Sequence, residues 1–326
     1  MMDRRSLLGL ASAFALSPGL ARAQAGPWPS GPVQIVVPFG AGGGTTDPLA
    51  RIVAEELGKQ MGASFVVTNK PGANGNLGAV FVKRSAPDGQ TLLFTGAGTL
   101  ATNPAMYKDP GFNTKADFEP VAVVGSVANI LVVNPSIPAT TVKEFVEYLK
   151  KSPDKVSFGS TGNGSSMHTA GELFRQRTST SMVHVPYNAA GPATTDLLSG
   201  NIQAMFQLVP GISGFVKEKK VTALAVMSPR RQPTLPDVPT MTEAGFPGLE
   251  SYTWLCLMAP KRTPSAVIER LNDGVNKLLA QPAFRERLVA MGVEPMGGTP
   301  AEFSAFLDSE IKKWGDVVRT ANITVN

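Results

Sequence analysis

The sequence predicts an α/β protein of two lobes, each a mostly parallel sheet flanked by helices, joined by strands that cross between the lobes. Short apolar strands alternate with helical patterns along the chain, which is typical of parallel α/β sheets. The length of 326 residues suggests about two domains, each able to bury its own core. Two extended apolar segments, residues 121–133 and 252–258, are the candidates for the crossing strands.

Composition excludes several other classes of protein. Apolar residues make up 43% of the chain and charged residues 17%, which excludes disorder and a coiled coil. The single cysteine, Cys256, excludes an internal disulfide framework, and two histidines leave little for a metal site. The net charge is +5, but the only lysine-rich run, residues 217–220, is typical of a solvated helix end. We therefore expect no cofactor, no metal and no nucleic-acid partner.

The N-terminus has the pattern of an export signal. Arginines occupy positions 4 and 5, an apolar stretch follows over residues 7–16, and residues 21–23 form an A-x-A cleavage site. The apolar stretch is too short to cross a bilayer, which needs about 20 residues. The sequence thus predicts a signal peptide over residues 1–23 and a mature protein in the periplasm. The general secretory and twin-arginine routes both stay open.

The first strand, residues 33–37, leads through a glycine-rich loop into a helix that Asp47 and Pro48 are expected to open, with Asp47 as the N-cap. The strand and helix pattern then repeats. The further predicted strands are residues 65–67, 91–94, 121–133, 156–158, 183–185, 205–206, 223–226 and 252–258. The further predicted helices are residues 75–85, 140–151, 166–177, 192–199, 264–280, 282–291 and 300–321.

The two extended segments also predict how the chain divides. If both cross between lobes, the first lobe is discontinuous and comprises residues 24–126 and 254–326. The second lobe then comprises residues 127–253.

Four loops that contain glycine lead from a predicted strand into a helix N-terminus: residues 39–47, 95–99, 159–166 and 187–192. They lie at the carboxyl ends of strands, where open α/β sheets bind ligands. Glycine lets backbone N–H groups approach a ligand, and helix N-termini favour negative charge. Because none of these loops contains Lys or Arg, an anion here would be held by N–H groups and hydroxyls. Any one loop could be a simple tight turn, but four together predict a binding cleft.

The candidate ligand-binding residues come from these loops and from positions beside them. They are Phe39, Ala41, Gly42, Gly43, Gly44, Thr45, Thr46, Asp47, Thr95, Gly96, Ala97, Ser160, Thr161, Gly164, Ser165, Ser166, His168, Tyr187, Asn188, Gly191, Asp196 and Gln207. Asp196 is expected in the opening turns of its helix, where it either complements the helix dipole or faces the cleft as an acceptor. His168 and Glu172 are spaced like two metal ligands, but the sequence offers no third ligand nearby.

No pattern of residues predicts catalysis. The G-x-S-x-G nucleophile turn and the nucleotide P-loop are both absent from the sequence. No nucleophile, base and orienting residue can be assembled from it, so the sequence does not predict an enzyme.

A set of short motifs identifies a family. They are residues 36–39, 43–44, 47–51, 69–78, 86–89, 131–135, 162–165, 184–187, 191–193, 196–200, 235–240, 243–245 and 259–260. With these motifs the mature chain resembles, over essentially its whole length, the Bug-type periplasmic receptors of tripartite tricarboxylate transporters. The resemblance implies a type II-like periplasmic binding protein whose lobes close on a small carboxylate. It also implies that the loop after the first strand and the loop before the Asp196 helix bind the carboxylate, partly through ordered waters.

The chain departs from the family pattern at three places. Residues 38–47 hold one extra residue, which leaves open which first-loop residues touch the ligand. Gln207 stands where many members have Asp or Asn, and residues 252–256 are unusually aromatic.

The sequence therefore predicts a monomeric receptor that delivers a small organic carboxylate, either a di- or tricarboxylate or an aromatic one, to integral-membrane transporter subunits. Two alternatives stay open. One is a ligand sensor for a membrane signalling partner, and the other is an exported enzyme on the same scaffold.

Overall fold

A computed structural model describes residues 28–42 and 45–325. The predicted signal peptide lies outside the described residues. The strands are β1 (Val33–Val37), β2 (Phe65–Asn69), β3 (Thr91–Gly96), β4 (Phe118–Val133), β5 (Ser157–Ser160), β6 (Val183–Pro186), β7 (Ala204–Leu208), β8 (Thr222–Val226), β9 (Tyr252–Pro260) and β10 (Glu294–Pro295). The helices are α1 (Thr46–Met61), α2 (Asn76–Lys83), α3 (Asn103–Met106), α4 (Thr114–Asp117), α5 (Val142–Lys151), α6 (Ser166–Thr178), α7 (Ala190–Ser199), α8 (Val209–Lys217), α9 (Ser265–Ala280), α10 (Pro282–Ala290) and α11 (Pro300–Thr320).

The strands form one curled mixed sheet in the order β2-β1-β3-β9-β4-β7-β5-β6, with β8 and β10 also paired to β4. The strands β1, β2 and β3 form a first group, in which β1 is parallel to the other two. The strands β5, β6 and β7 form a second group, in which β5 is parallel to the other two. The long strands β4 and β9 join these two groups through antiparallel pairings. The predicted α/β class and its two-lobed arrangement are confirmed, with parallel pairing inside each group and antiparallel pairing where the long strands run.

The strand β4 belongs to both groups. It pairs with β9 from Phe118 to Ala128, and then with β7 and β8 over residues 129–133. Ser126 of β4 lies directly opposite Trp254 of β9. Nearly every residue of β4 is buried, because both faces of the sheet are covered, and this explains its continuous apolar sequence.

The core lies on both faces of the sheet. On β1, Ile35 and Val37 pack into a cluster with α1 and α9, whereas Val36 between them belongs to a separate cluster on the other face. This alternation follows from the two-residue period of a strand. The cluster that contains Val36 also contains Phe145 and Phe206, so it reaches from the first group of strands to the second.

No helix in the described part of the chain is long and apolar enough to span a bilayer.

Three local expectations were wrong. The N-cap of α1 is Thr45, so Asp47 lies inside the first turn. The strand β3 continues through Thr95 and Gly96, because both residues pair with β9. The helix α8 was not predicted, since two glycines and a proline in its nine residues weaken the helical pattern.

Candidate functional site

A cleft of about 210 Å³ opens where the loops after β1 and β3 face the loop that precedes α6. Its lining comes from these loops, from the turn before α2, and from α3, α6, β9 and α11. The lining residues are Phe39, Asn74, Ala97, Gly98, Thr102, Asn103, Thr161, Asn163, Gly164, Ser165, Ser166, Thr169, Tyr252, Thr253 and Trp314. None of them carries a charge, but hydroxyl and amide groups are abundant. A ligand in this cleft would therefore meet neutral dipoles.

The N-terminus of α6 forms one side of the cleft. Ser165 is its N-cap, and the Ser165 hydroxyl accepts a hydrogen bond from the His168 N–H at 3.3 Å. Gly164 precedes it with φ +76°, a backbone conformation that favours glycine. Because the first N–H groups of a helix lack backbone partners, this end of the 13-residue helix favours an anion.

The opposite side is built by a turn before α2. Asn74 adopts φ 52°, and its carbonyl oxygen accepts hydrogen bonds from the Asn103 amide at 2.9 Å and the Thr99 hydroxyl at 3.3 Å. The Asn103 amide also donates to Asn76 at 2.6 Å. The Thr95 hydroxyl, which is fully buried, donates to Thr99. These bonds hold the turn and the segment after β3 in one arrangement beside the cleft.

Asp47 holds the loop after β1. Its buried carboxylate accepts hydrogen bonds from the Gly42 N–H at 2.8 Å, the Asn69 amide at 2.7 Å and the Arg51 guanidinium at 3.0 Å. Burial alone would raise the pKa of Asp47, but the hydrogen bonds from Arg51, Asn69 and Gly42 outweigh it and lower the pKa to about 2. Asp47 is thus a positioning residue for the loop that carries Phe39.

Asp47→Asn is expected to destabilise the protein by about 2 kcal/mol at pH 7, because the lowered pKa measures how much better the folded state holds the carboxylate. A depressed carboxyl pKa adds stability above the ordinary value of 3.8 and loses it as the pH falls toward 2. Urea unfolding at pH 7 measures the effect. The exposed Asp316→Asn is the control and should cost clearly less stability, because solvent screens its ion pairs. Equal losses in both variants would contradict the role of Asp47.

Two histidines stack behind the cleft. The rings of His168 and His184 lie 3.7 Å apart and nearly parallel. His168 Nδ1 accepts a hydrogen bond from the Gly164 N–H at 3.1 Å, which ties the pair to the cleft loop. Burial, then the proximity of His184 and of Arg175, lower the pKa of His168 to about 3. Burial and then Arg175 lower the pKa of His184 to about 4. Both rings are therefore neutral near pH 7.

His184 also contacts a serine, which the sequence did not reveal. Its Nε2 lies 2.7 Å from the Ser160 hydroxyl, but Ser160 is fully buried and does not line the cleft.

The two residues spaced like metal ligands, His168 and Glu172, lie 3.8 Å apart, and Glu172 already binds Arg175. Among the described residues, no three His, Cys, Asp or Glu side chains cluster as metal ligands.

Asp196 lies on α7, outside the cleft lining. The helix α7 begins at Ala190, so Asp196 lies in its second half and not in the opening turns, which corrects the dipole interpretation. Its carboxylate accepts hydrogen bonds from the Tyr187 hydroxyl at 2.7 Å and the Asn201 amide at 3.1 Å. Burial and the Asp196 bond raise the pKa of Tyr187 to about 12. Gln207 is buried and its side-chain oxygen accepts from the Leu208 N–H.

The structure brings together some of the predicted site residues. Those that line the cleft are Phe39, Ala97, Thr161, Gly164, Ser165 and Ser166. Those that lie outside its lining are Ala41, Gly42, Thr45, Thr46, Asp47, Thr95, Gly96, Ser160, His168, Tyr187, Asn188, Gly191, Asp196 and Gln207. Gly43 and Gly44 lie outside the described residues. Ligand contact at all of these positions stays a prediction.

Other lining residues were not named from the sequence. Gly98 and Asn163 fall inside two of the predicted loops, and Asn74 falls inside a family motif, so these could have been found. Tyr252 lies in the aromatic segment noted as unusual. Trp314 could not have been predicted as a lining residue, because nothing in the sequence of α11 indicates which of its faces meets the cleft.

The fold and this neutral cleft define a solute-binding protein, and comparisons with known proteins identify its family. The model of the tripartite tricarboxylate transporter family receptor matches residues 49–323. The protein BugT of Bordetella pertussis is 34% identical over 320 residues, which cover 98% of each chain. The chain belongs to the family of tripartite tricarboxylate transporter receptors, so the predicted resemblance is confirmed.

Two solved structures are similar over most of the chain. Rpa4515 of R. palustris, solved with adipate, is 35% identical with a TM-score of 0.78, covering 91% of this chain and 100% of that one. MatC (Rpa3494) of Rhodopseudomonas palustris, solved with bound malate, is 31% identical with a TM-score of 0.73, covering 89% and 99%. The family consists of solute-binding receptors.

Proposed function

We propose that this protein is a periplasmic receptor that binds a small organic carboxylate in the cleft and delivers it to integral-membrane transporter subunits. The observation that carries the proposal is the neutral, hydroxyl-rich cleft at the N-terminus of α6. Ser165, Ser166 and the adjacent N–H groups supply donors for a carboxylate there. The bound acids of two related structures, adipate and malate, belong to the same chemical class.

A thermal-shift screen over mono-, di- and tricarboxylates, some of them aromatic, tests the proposal. An acid present at 100 times its dissociation constant should stabilise the protein by about 2.7 kcal/mol, because it binds the folded state alone. Amides of the same acids serve as controls and should give no shift. If no acid stabilised the protein while a neutral or cationic solute did, the proposal would fail.

Two alternatives differ in what the receptor does with the acid. A sensor would bind the same ligand and contact a signalling protein, whereas transporter genes encoded beside this one would favour delivery. An exported enzyme would need a nucleophile and base in contact with the ligand. The hydrogen-bonded Ser160–His184 pair lies outside the cleft lining, so we propose binding without chemistry. The receptor is proposed to act as a monomer.

Export is proposed to remove residues 1–23, after which the chain would start at Gln24. Intact-mass measurement of protein taken from the periplasm should give a mass that lacks these residues. Cleavage-blocked material, made by placing a bulky residue at Ala23, is the control. A periplasmic protein that still carried Met1 would contradict this prediction.

We also propose that the cleft closes by rotation of two lobes, residues 24–126 with 254–326 and residues 127–253. Ser126 of β4 and Trp254 of β9 lie opposite each other, shortly before β4 passes from its pairing with β9 to its pairing with β7. Both strands would therefore bend at one place. Small-angle scattering should show a smaller radius of gyration with saturating acid. An unchanged radius, with binding proven by calorimetry on the same sample, would contradict closure.

A further inference from the structure

We infer that Glu310, a buried carboxylate behind the cleft, is a positioning residue that determines which ligands the cleft prefers. The inference rests on the proposed function, since it concerns selectivity among acids. Glu310 lies on α11 and is only 3% exposed. One of its oxygens accepts hydrogen bonds from two indole N–H groups, that of Trp254 at 2.8 Å and that of Trp314 at 2.9 Å. Its other oxygen binds Lys313 at 2.9 Å.

These bonds join α11 to a crossing strand. Trp254 is fully buried on β9, and its ring packs edge-on against Phe303 and Phe306 of α11 at 6.1 and 5.5 Å. Hydrogen bonds to a charged acceptor are stronger than neutral ones, and an indole has no second polar group to use instead. Glu310 therefore fixes the orientation of both indole rings.

The consequence is an apolar wall in the cleft. Trp314 lines the cleft, and the only polar group of its indole, the ring N–H, donates to Glu310. The Trp314 side chain therefore presents only carbon atoms to a ligand. Tyr252 beside it stacks on Phe306 at 6.5 Å, and Lys313 lies 5.5 Å from its ring centre. The donors for a carboxylate lie at the α6 N-terminus, whereas this wall suits an apolar group. The cleft thus favours an acid with one carboxylate and an apolar end over an acid with two carboxylates.

Hexanoate and adipate test this preference, because they share a six-carbon chain and differ in whether the far end is a methyl or a carboxylate. Calorimetry should show that the wild-type protein binds hexanoate more tightly than adipate. In Glu310→Leu both indoles lose their acceptor and the wall can reorient, so the ratio of the two dissociation constants should shift toward adipate by at least about fivefold. Glu310→Gln retains an acceptor oxygen, and its ratio should stay within about twofold of wild type.

Asp316→Asn on the exposed side of the same helix is the control, and its ratio should not change. A purely structural role of Glu310 would weaken both acids equally, and an unchanged ratio in Glu310→Leu would overturn the inference while leaving the receptor function intact. If Glu310→Leu does not fold, Glu310→Gln still tests the inference: a ratio shifted as far as fivefold would overturn it, because this variant keeps the acceptor oxygen for both indoles. A wild-type preference for adipate would also overturn the inference. Failure of the wild type to bind either acid would overturn it together with the proposed function for acids of this length.

Discussion

Gly98→Leu is expected to remove ligand binding while the protein stays folded. Gly98 lines the cleft, is exposed, and a Cβ built on it meets no atom within 4 Å, so the new side chain would occupy the space of the ligand without straining the backbone. We expect affinity for a carboxylate to fall by at least about 100-fold, or about 2.7 kcal/mol. Titration calorimetry with the best acid from the screen measures this loss.

Gly214→Leu is the matched control, since Gly214 is also exposed, also has open space at its Cβ, and lies on α8 outside the cleft lining. It should bind like the wild type. Circular dichroism and a melting curve show whether each variant is folded. Full affinity in a folded Gly98→Leu protein would place the ligand elsewhere, and the loops near Tyr187 would become the next candidates.

Acid is expected to destabilise the protein through the stacked histidines before it affects the carboxylates. Folding lowers the pKa of His168 to about 3 and that of His184 to about 4 from the ordinary value of 6.5. The free energy of unfolding is therefore not reduced by these histidines above pH 6.5, and it decreases as the pH falls toward 4. It decreases because the unfolded chain binds protons at both histidines, whereas the folded protein keeps both rings neutral. Each histidine contributes a slope of up to about 1.4 kcal/mol per pH unit.

Urea unfolding between pH 6.5 and 5.0 measures this slope in a range where the carboxyl groups stay ionised. His184→Gln retains a polar side chain beside Ser160 and should lose about half of the slope. Because His168 stays neutral in the folded protein over this pH range and still accepts the Gly164 N–H, affinity for the acid should not change over it. A wild-type stability that did not change between pH 6.5 and 5.0 would show that the two rings are not held neutral.

Local patterns in the sequence were enough to predict the alternating elements and the loops that form the polar side of the cleft. The loop before α6 is an example, because glycine, serine and a helix start are all adjacent in sequence and need no distant contact. The crossing strand β4 was also predictable, since a strand buried on both faces needs an uninterrupted apolar run.

The apolar side of the cleft could not be predicted in the same way. Trp314 reaches the cleft only because α11 packs on β9 from some 60 residues further along the chain, through Glu310 and Trp254. The positioning role of Asp47 was missed because Asn69, which donates to its carboxylate, lies on β2 and meets it only in the fold. Contacts between distant segments leave no spacing in the sequence.

The most direct test of the proposed function is a crystal structure of the protein with the best-binding acid. We predict a carboxylate within hydrogen-bond distance of the Ser166 N–H and of the hydroxyl groups of Ser165 and Ser166, with the rest of the acid beside Trp314 and Tyr252. An acid bound outside this cleft, or one whose carboxylate points away from the α6 N-terminus, would contradict the account.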